Sequence, residues 1–288
     1  MKNIKAALLF SALITSSTVS ADLTTGLLAY YPFNGNANEE TGQYVDGILN
    51  GDASFKKGVI GQALYLDGNG DYVDLGNGLN LNQKYSVSFW VKSEDLSRKY
   101  AAVLAKYETN GYGPYDFSLH YNKANLWVSN GQGGALSVDS KANISKNIWA
   151  FVSYTVNSGQ LSIYVNGRLS TTRTIPAMTK NNDRVTIGRQ ALMFSPYSDL
   201  EFKGYIDEVR IYNRSLSAAE INKLYNAGVA VSGTVKSLEA HTVTCKNETT
   251  GQIVNIAATQ ATTYDCEAKG LIINTGETAS IFIKGVVQ

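Results

Sequence analysis

The chain has 288 residues, enough for one large β domain or two smaller ones. Its formal charge is +1, and no basic block stands out, which speaks against nucleic acid as a partner. Its two cysteines, Cys245 and Cys266, both lie near the C-terminus.

Residues 1–21 read as a secretory signal. Lys2 and Lys5 give the positive start, "AALLFSALI" the apolar run, and Val19-Ser20-Ala21 a small-residue cleavage site. Removing the two lysines with the signal takes the charge to +1 − 2 = −1. The expected location is outside the cytoplasm, in the periplasm or secreted to the cell surface. No other apolar stretch is long enough to span a bilayer.

Short alternating runs follow, split by turn residues. They include "QALYLDG", "DYVDLG", "YSVSFWVKS", "YDFSLHY", "NLWVSN", "WAFVSYTVN", "LSIYVNG", "RVTIGR" and "GYIDEVRIYN". This is the pattern of an antiparallel sandwich. In "YSVSFWV" Tyr85, Val87, Phe89 and Val91 share one face, so burial of that face fixes the register. Asn157-Ser158-Gly159 and Asn166-Gly167 mark hairpin turns, the second of type I′.

The stretch "GYIDEVRIYNRSLSAAEINKLYNAG" ends the first domain. Strict alternation puts Tyr205, Asp207, Val209 and Ile211 on one face. Asp207 thus sits among apolar neighbours, where an unpaired carboxylate is costly; backbone N–H groups, Tyr hydroxyls or a cation must neutralise it. Glu208 shares the other face with Arg210, and a solvated ion pair accounts for both. Ser217-Ala-Ala-Glu220 is a capping box. A short helix is expected over Ala218–Ala227, with Gly228 at its C′ position.

After Gly228 the pattern resets into a small β module of roughly sixty residues, a size at which a core alone is marginal. The predicted organisation is a signal over 1–21, an all-β sandwich over 22–228 and a β module over 229–288. In an exported chain Cys245 and Cys266 are expected to form a disulfide that staples the module. A metal pair or a catalytic thiol is the lesser reading.

Five segments occur in the order of a known family: "LLAYYPFNGNANEETGQYVDGIL", "GVIGQALYLDGNGDYVDLG", "YSVSFWVKS", "NIWAFVSYTVNSGQLSIYVNGR" and "FKGYIDEVRIYNRSLSAAEI". Over about Asp22 to Gly228 the chain resembles a laminin G-like jelly roll of the concanavalin A-like lectin/glucanase fold, in the branch common in secreted bacterial proteins. The resemblance implies an all-β, two-sheet antiparallel jelly-roll sandwich with one short C-terminal helix, and loops that carry any ligand. The C-terminal module resembles small Cys-paired β domains of bacterial secreted proteins.

Many members of that family bind Ca2+ near the two ends of the domain. Their pattern opens with an aromatic followed by Asp-Gly and closes with Asp-Glu-Val-Arg. Carried over by position, Asn34 and Asp207 are the candidate calcium ligands, with Asn36 and Asp46 as helpers. Asn34 replaces the commoner Asp and removes a charge from the site.

The segment "KYETNGYGPYDFSLHYNKANLWVSNGQGG" suggests a ligand surface. Tyr107, Tyr112, Tyr115 and Trp127 offer flat faces for sugar rings; Asn110, Asn130 and Gln132 offer amides for hydroxyls. Tyr is also a favoured strand residue, and this chain has eighteen. Catalysis of glycan cleavage needs two facing carboxylates. No Glu-x-Asp-x-Glu run is present, and Asp71 and Asp74 fall on opposite faces. The expected function is therefore a non-catalytic module that binds a glycan or an extracellular-matrix or cell-surface protein. An adhesion or protein-interaction module and a glycoside-active enzyme with carboxylates from separate loops are the alternatives.

Overall fold

The computed structural model describes residues 23–106, 113–130, 134–190, 200–232, 241–247, 253–258 and 279–284, with side chains through residue 229. The proposed signal lies outside them. The chain divides into two units, Met1–Val231 and Ser232–Gln288.

In chain order the first unit begins with β1 (Leu27–Tyr31), β2 (Ile48–Asn50), β3 (Ser54–Lys57), β4 (Gln62–Leu66) and β5 (Tyr72–Asn77). It continues with β6 (Lys84–Ser93), β7 (Ala101–Lys106), β8 (Tyr115–His120), β9 (Lys123–Ser129) and β10 (Ala135–Asn143). Then come β11 (Ala150–Asn157), β12 (Gln160–Val165), β13 (Arg168–Thr174), β14 (Arg184–Ile187), β15 (Gly204–Tyr212) and the helix α1 (Ala218–Ser232).

Two antiparallel sheets result. One runs β13-β12-β11-β6-β15-β4-β3, with β1 also pairing β15; the other runs β10-β9-β8-β7-β14-β5-β2. This is the jelly-roll sandwich the sequence implies. The main core lies between the sheets. Tyr85, Val87, Phe89 and Val91 of β6 enter it, as alternation requires, with Leu64 and Leu66 of β4, Val152 and Tyr154 of β11, and Phe117 of β8. Ser158 (φ 50°) with Gly159 (φ 81°), and Asn166 (φ 50°) with Gly167 (φ 75°), have the two positive φ values of type I′ turns.

A second apolar cluster covers part of the outer face of the first sheet. Trp90, Phe151 and Tyr212 from the sheet meet Leu216, Ile221 and Leu224 from the helix side. The capping box forms: the Ser217 and Glu220 side chains hydrogen-bond at 2.8 Å, and the Glu220 carboxylate also accepts the Ser217 N–H at 2.8 Å. Arg214 holds the other Glu220 oxygen at 2.7 Å. The Ser86 hydroxyl donates to Arg214 O and accepts Leu216 N, which pins the strand-to-helix connection.

The helix runs past Gly228 to Ser232, so Gly228 is not the C′ residue. Its role is close packing. A Cβ added there would lie 2.5 Å from Trp90 Cζ2 and 2.6 Å from Trp90 Cε2. The indole is held by Phe151 (centroids 5.4 Å) and Tyr225 (5.6 Å) and has little room to yield. Gly228→Ala is expected to destabilise by about 1–3 kcal/mol through overpacking, although alanine is the better helix former by about 1 kcal/mol. A lowered urea midpoint at unchanged slope is the check.

The second unit holds β16 (His241–Asn247), β17 (Ile253–Ala258) and β18 (Ala279–Lys284), antiparallel in the order β17-β16-β18. Cys245 sits in β16 opposite Val254 and Ile281. Cys266 lies outside the described residues, so the bridge stays an expectation. No helix among the described residues is long and apolar enough to cross a membrane.

Candidate ligand-binding surfaces

Strict alternation fails in β15 at the residue that matters most. The register against β6 shifts between Asp207 and Arg210, and Glu208 adopts φ 55°. This is a bulge, with the left-handed backbone that side chains other than glycine adopt at a cost. Ile206, Val209 and Ile211 enter the main core, while Asp207 and Glu208 do not.

Asp207 is 0 % exposed. Its Oδ2 accepts the N–H groups of Val59 (2.8 Å) and Ile60 (3.2 Å), and its Oδ1 has no partner. Burial pushes its pKa up to about 7, against the lowering effect of the Ile60 amide. Glu208 is 1 % exposed, not solvated. It accepts the Tyr30 hydroxyl at 2.9 and 3.1 Å and pairs with Arg210 at 2.6 Å, and Arg210 lies 4.0 Å over the Tyr30 ring. Glu208 is thus buried against Tyr30 and Arg210 on the side of the sheet away from the main core.

The expected calcium ligands do not assemble a cradle. Asn34 is exposed, and its Oδ1 accepts Gln62 N at 2.8 Å. Asn36 and Asp46 cap Asn38 N (3.0 Å) and Glu39 N (2.8 Å) in their own loop. Asn34 and Asp207 both hold the turn between β3 and β4, from two sides. Both side chains anchor backbone amides of that segment, and Asp207 Oδ1 is left without a partner. Calcium takes six to eight oxygens, so a cation held there would need carbonyl or water oxygens beside Asp207 Oδ1. The one group of three acids within metal reach among the described residues is Asp52, Asp67 and Asp71, and both Asp71 oxygens already accept backbone N–H groups.

Of the expected sugar-binding residues, Tyr107, Asn110, Tyr112 and Gln132 lie outside the described residues. Tyr115 is a correction. It points into the core at 1 % exposure, and its hydroxyl donates to Leu79 O, so its face is not open to a ligand. Asn130 Oδ1 accepts Gly134 N at 3.0 Å.

Trp127 is half-buried on the outer face of the second sheet, in register with Asp116 and Ser137. The polar groups of that face bind one another. Asn125 Nδ2 donates to Ser137 Oγ (2.8 Å) and Asp139 Oδ1 (2.7 Å). His120 Nδ1 meets Asp139 Oδ2 at 2.9 Å, and Tyr100 stacks on its ring at 4.6 Å. Asp116 is buried, accepts from Gln190 Nε2, and is pushed up to about 7 by desolvation.

The sequence reading missed an aromatic row on the outer face of the first sheet. Tyr65 of β4 and Tyr205 of β15 are cross-strand partners with ring centroids 4.9 Å apart. Trp149, just before β11, continues the row 5.9 Å from Tyr205. All three are partly exposed. Lys56 sits 3.1 Å over the Tyr65 ring and Lys92 3.8 Å over that of Tyr205. The signal was available: Tyr65 lies between the core residues Leu64 and Leu66, and Tyr205 beside Ile206, so both occupy outward positions.

Residues 67–222, just over half of the chain, match the Laminin_G_3 family of the concanavalin A-like lectin/glucanases superfamily. The chain belongs to this family. Among curated proteins none matches it. Among solved structures it is similar to domain 4 of AbnA, a GH43 extracellular arabinanase from Geobacillus stearothermophilus, in complex with arabinotriose. The identity is 25 % and the TM-score 0.57, over 69 % of this chain and 98 % of that one. It is also similar in fold to the binding domain of Paraclostridial Mosquitocidal Protein 1 (14 %, TM-score 0.59), over 83 % of this chain and 65 % of that one. The botulinum neurotoxin serotype G binding domain gives 15 % and a TM-score of 0.56, over 77 % of this chain and 56 % of that one. The chain thus spans less than two thirds of either toxin domain.

Proposed function

We propose that this family member is an exported, non-catalytic carbohydrate-binding module whose ligand lies across Tyr65, Tyr205 and Trp149. The observation that carries the reading is the row itself: three partly exposed aromatic rings at 4.9 and 5.9 Å spacing, tilted 60° and 63° to one another, two on neighbouring strands and the third just before β11. Large flat side chains give contact area at low entropy cost; the Lys56 and Lys92 ammonium groups that lie over the Tyr65 and Tyr205 rings, and Glu94, which accepts the Tyr65 hydroxyl, supply polar groups for sugar hydroxyls once the two long lysine chains swing aside. The likeness to an arabinanase domain in complex with arabinotriose supports the same class of ligand.

Binding to a broad glycan array, followed by titration of the best ligand, is the test. Trp149→Ala is expected to weaken that ligand by about 30-fold, the effect of losing an aromatic anchor worth about 2 kcal/mol. Absence of binding to any glycan overturns the reading.

A further inference from the structure

The aromatic row carries its own cations. Lys92 is the cross-strand partner of Tyr205, and its ammonium lies 3.8 Å from the Tyr205 ring centroid and 5.3 Å from that of Trp149. Lys56, on β3 beside β4, lies 3.1 Å from the Tyr65 centroid. Across β3, β4, β15 and β6 the outer face therefore reads Lys56, Tyr65, Tyr205, Lys92, with Trp149 beyond. Neither ammonium is within ion-pair distance of a carboxylate among the described residues. The acid beside the row, Glu94, accepts the Tyr65 hydroxyl at 3.4 Å.

These positions bear on which sugar the row takes. An ammonium over an aromatic ring occupies the face on which a sugar would stack. A sugar that stacks there has to move both lysines, and each gives up its cation–π contact. A neutral sugar returns only hydroxyl hydrogen bonds for that loss, and water supplies those as well. A sugar with a carboxylate or a sulfate at its ring edge returns a charge-assisted hydrogen bond, the stronger kind. The lysine stem is four flexible carbons long, so the ammonium reaches that edge after it leaves the aromatic face. Bulk charge supplies no such preference, because the formal charge of the whole chain is only +1. The selection is local to two cations that lack a carboxylate.

We propose that the ligand of the aromatic row is an acidic glycan. Its carboxylate or sulfate groups draw Lys56 and Lys92 off the tyrosine rings as sugar rings stack in their place. This rests on the carbohydrate-binding reading above and names the class of its ligand.

Two matched pairs of polymers test it by calorimetric titration of the full chain. One pair is polygalacturonate and the same polymer with its carboxyls reduced to alcohols; the other is κ-carrageenan and its desulfated form. In at least one pair the acidic member is expected to bind about tenfold tighter at low salt, as two exposed ion pairs allow. The difference should shrink in about 1 M sodium chloride, where the Debye length is about 3 Å. The pair that shows it separates carboxylate from sulfate. A double variant, Lys56→Met with Lys92→Met, keeps most of the apolar stems and removes both charges. It should bind the two members of a pair alike, with neutral binding level or raised because no cation has to be displaced. Lys141→Met, at an exposed position of the other sheet, should leave the preference intact. Equal binding within both pairs, or a preference that survives the double substitution, overturns the inference. If a glycan array yields neutral ligands alone and Trp149→Ala weakens them, the inference alone falls. If no glycan binds, both readings fall.

Discussion

Glu208→Ala is expected to destabilise the first unit by about 3–5 kcal/mol, the usual cost of removing one partner of a buried ion pair. For a domain of this size that is a fall in melting temperature of about 6–20 °C. Two interactions go at once: the Arg210 guanidinium loses its 2.6 Å partner and the Tyr30 hydroxyl its acceptor. The backbone adds a sharper expectation. At φ 55° alanine keeps the left-handed strain that glutamate bears, whereas glycine relieves it by about 1 kcal/mol. Glu208→Gly should therefore melt above Glu208→Ala, the reverse of their usual order in a strand. Equal stability of both with the wild type would mean that the pair holds nothing.

Stability is expected to fall as pH rises from 4 to 8, with its steepest loss below pH 7. Asp116 and Asp207 are buried, and burial raises both to about 7. The unfolded chain releases these protons near pH 4, while the folded chain keeps them to about 7. Between those values the folded state binds more protons, so stability declines with pH. Each group contributes on the order of 4 kcal/mol in full, present below pH 4 and lost above pH 7. Asp116→Asn and Asp207→Asn should flatten the profile and raise the melting temperature at pH 7.5. In Asp207→Asn the amide oxygen can still accept from Val59 and Ile60. Melting curves from pH 4.5 to 8 decide it; a stability that rises with pH across that range contradicts the assignment.

Most of the sandwich was legible because its central strands alternate. β4, β5, β6, β8, β9, β11, β12, β14 and β15 each coincide, to within two residues at an end, with a run that reads as a strand. The strands that escaped have a physical reason. β13, "RLSTTRT", lies at the end of its sheet and buries little, so it carries no apolar alternation. β7, "AAVLAK", is buried throughout and reads as readily as a helix. The Tyr115 error was avoidable, since Tyr115, Phe117 and Leu119 alternate inward together. The bulge in β15 was not visible, because Glu208 is no glycine and nothing local announces a positive φ there. That Asp207 needs a partner was readable from its neighbours. That the partners are two amides of the turn between β3 and β4 depends on a contact across 147 and 148 residues.

The order of strands has a consequence in time. β15 is the last strand of the first unit, yet it lies in the middle of its sheet, between β6 and β4, with β1 also paired to it. Until residue 212 has left the ribosome, the growing chain holds the flanks of a sheet without the strand that joins them. Contacts this distant in sequence make folding slow. A chain that stops short of residue 212 therefore lacks the strand that closes its sheet, and the sandwich locks only once β15 is in place.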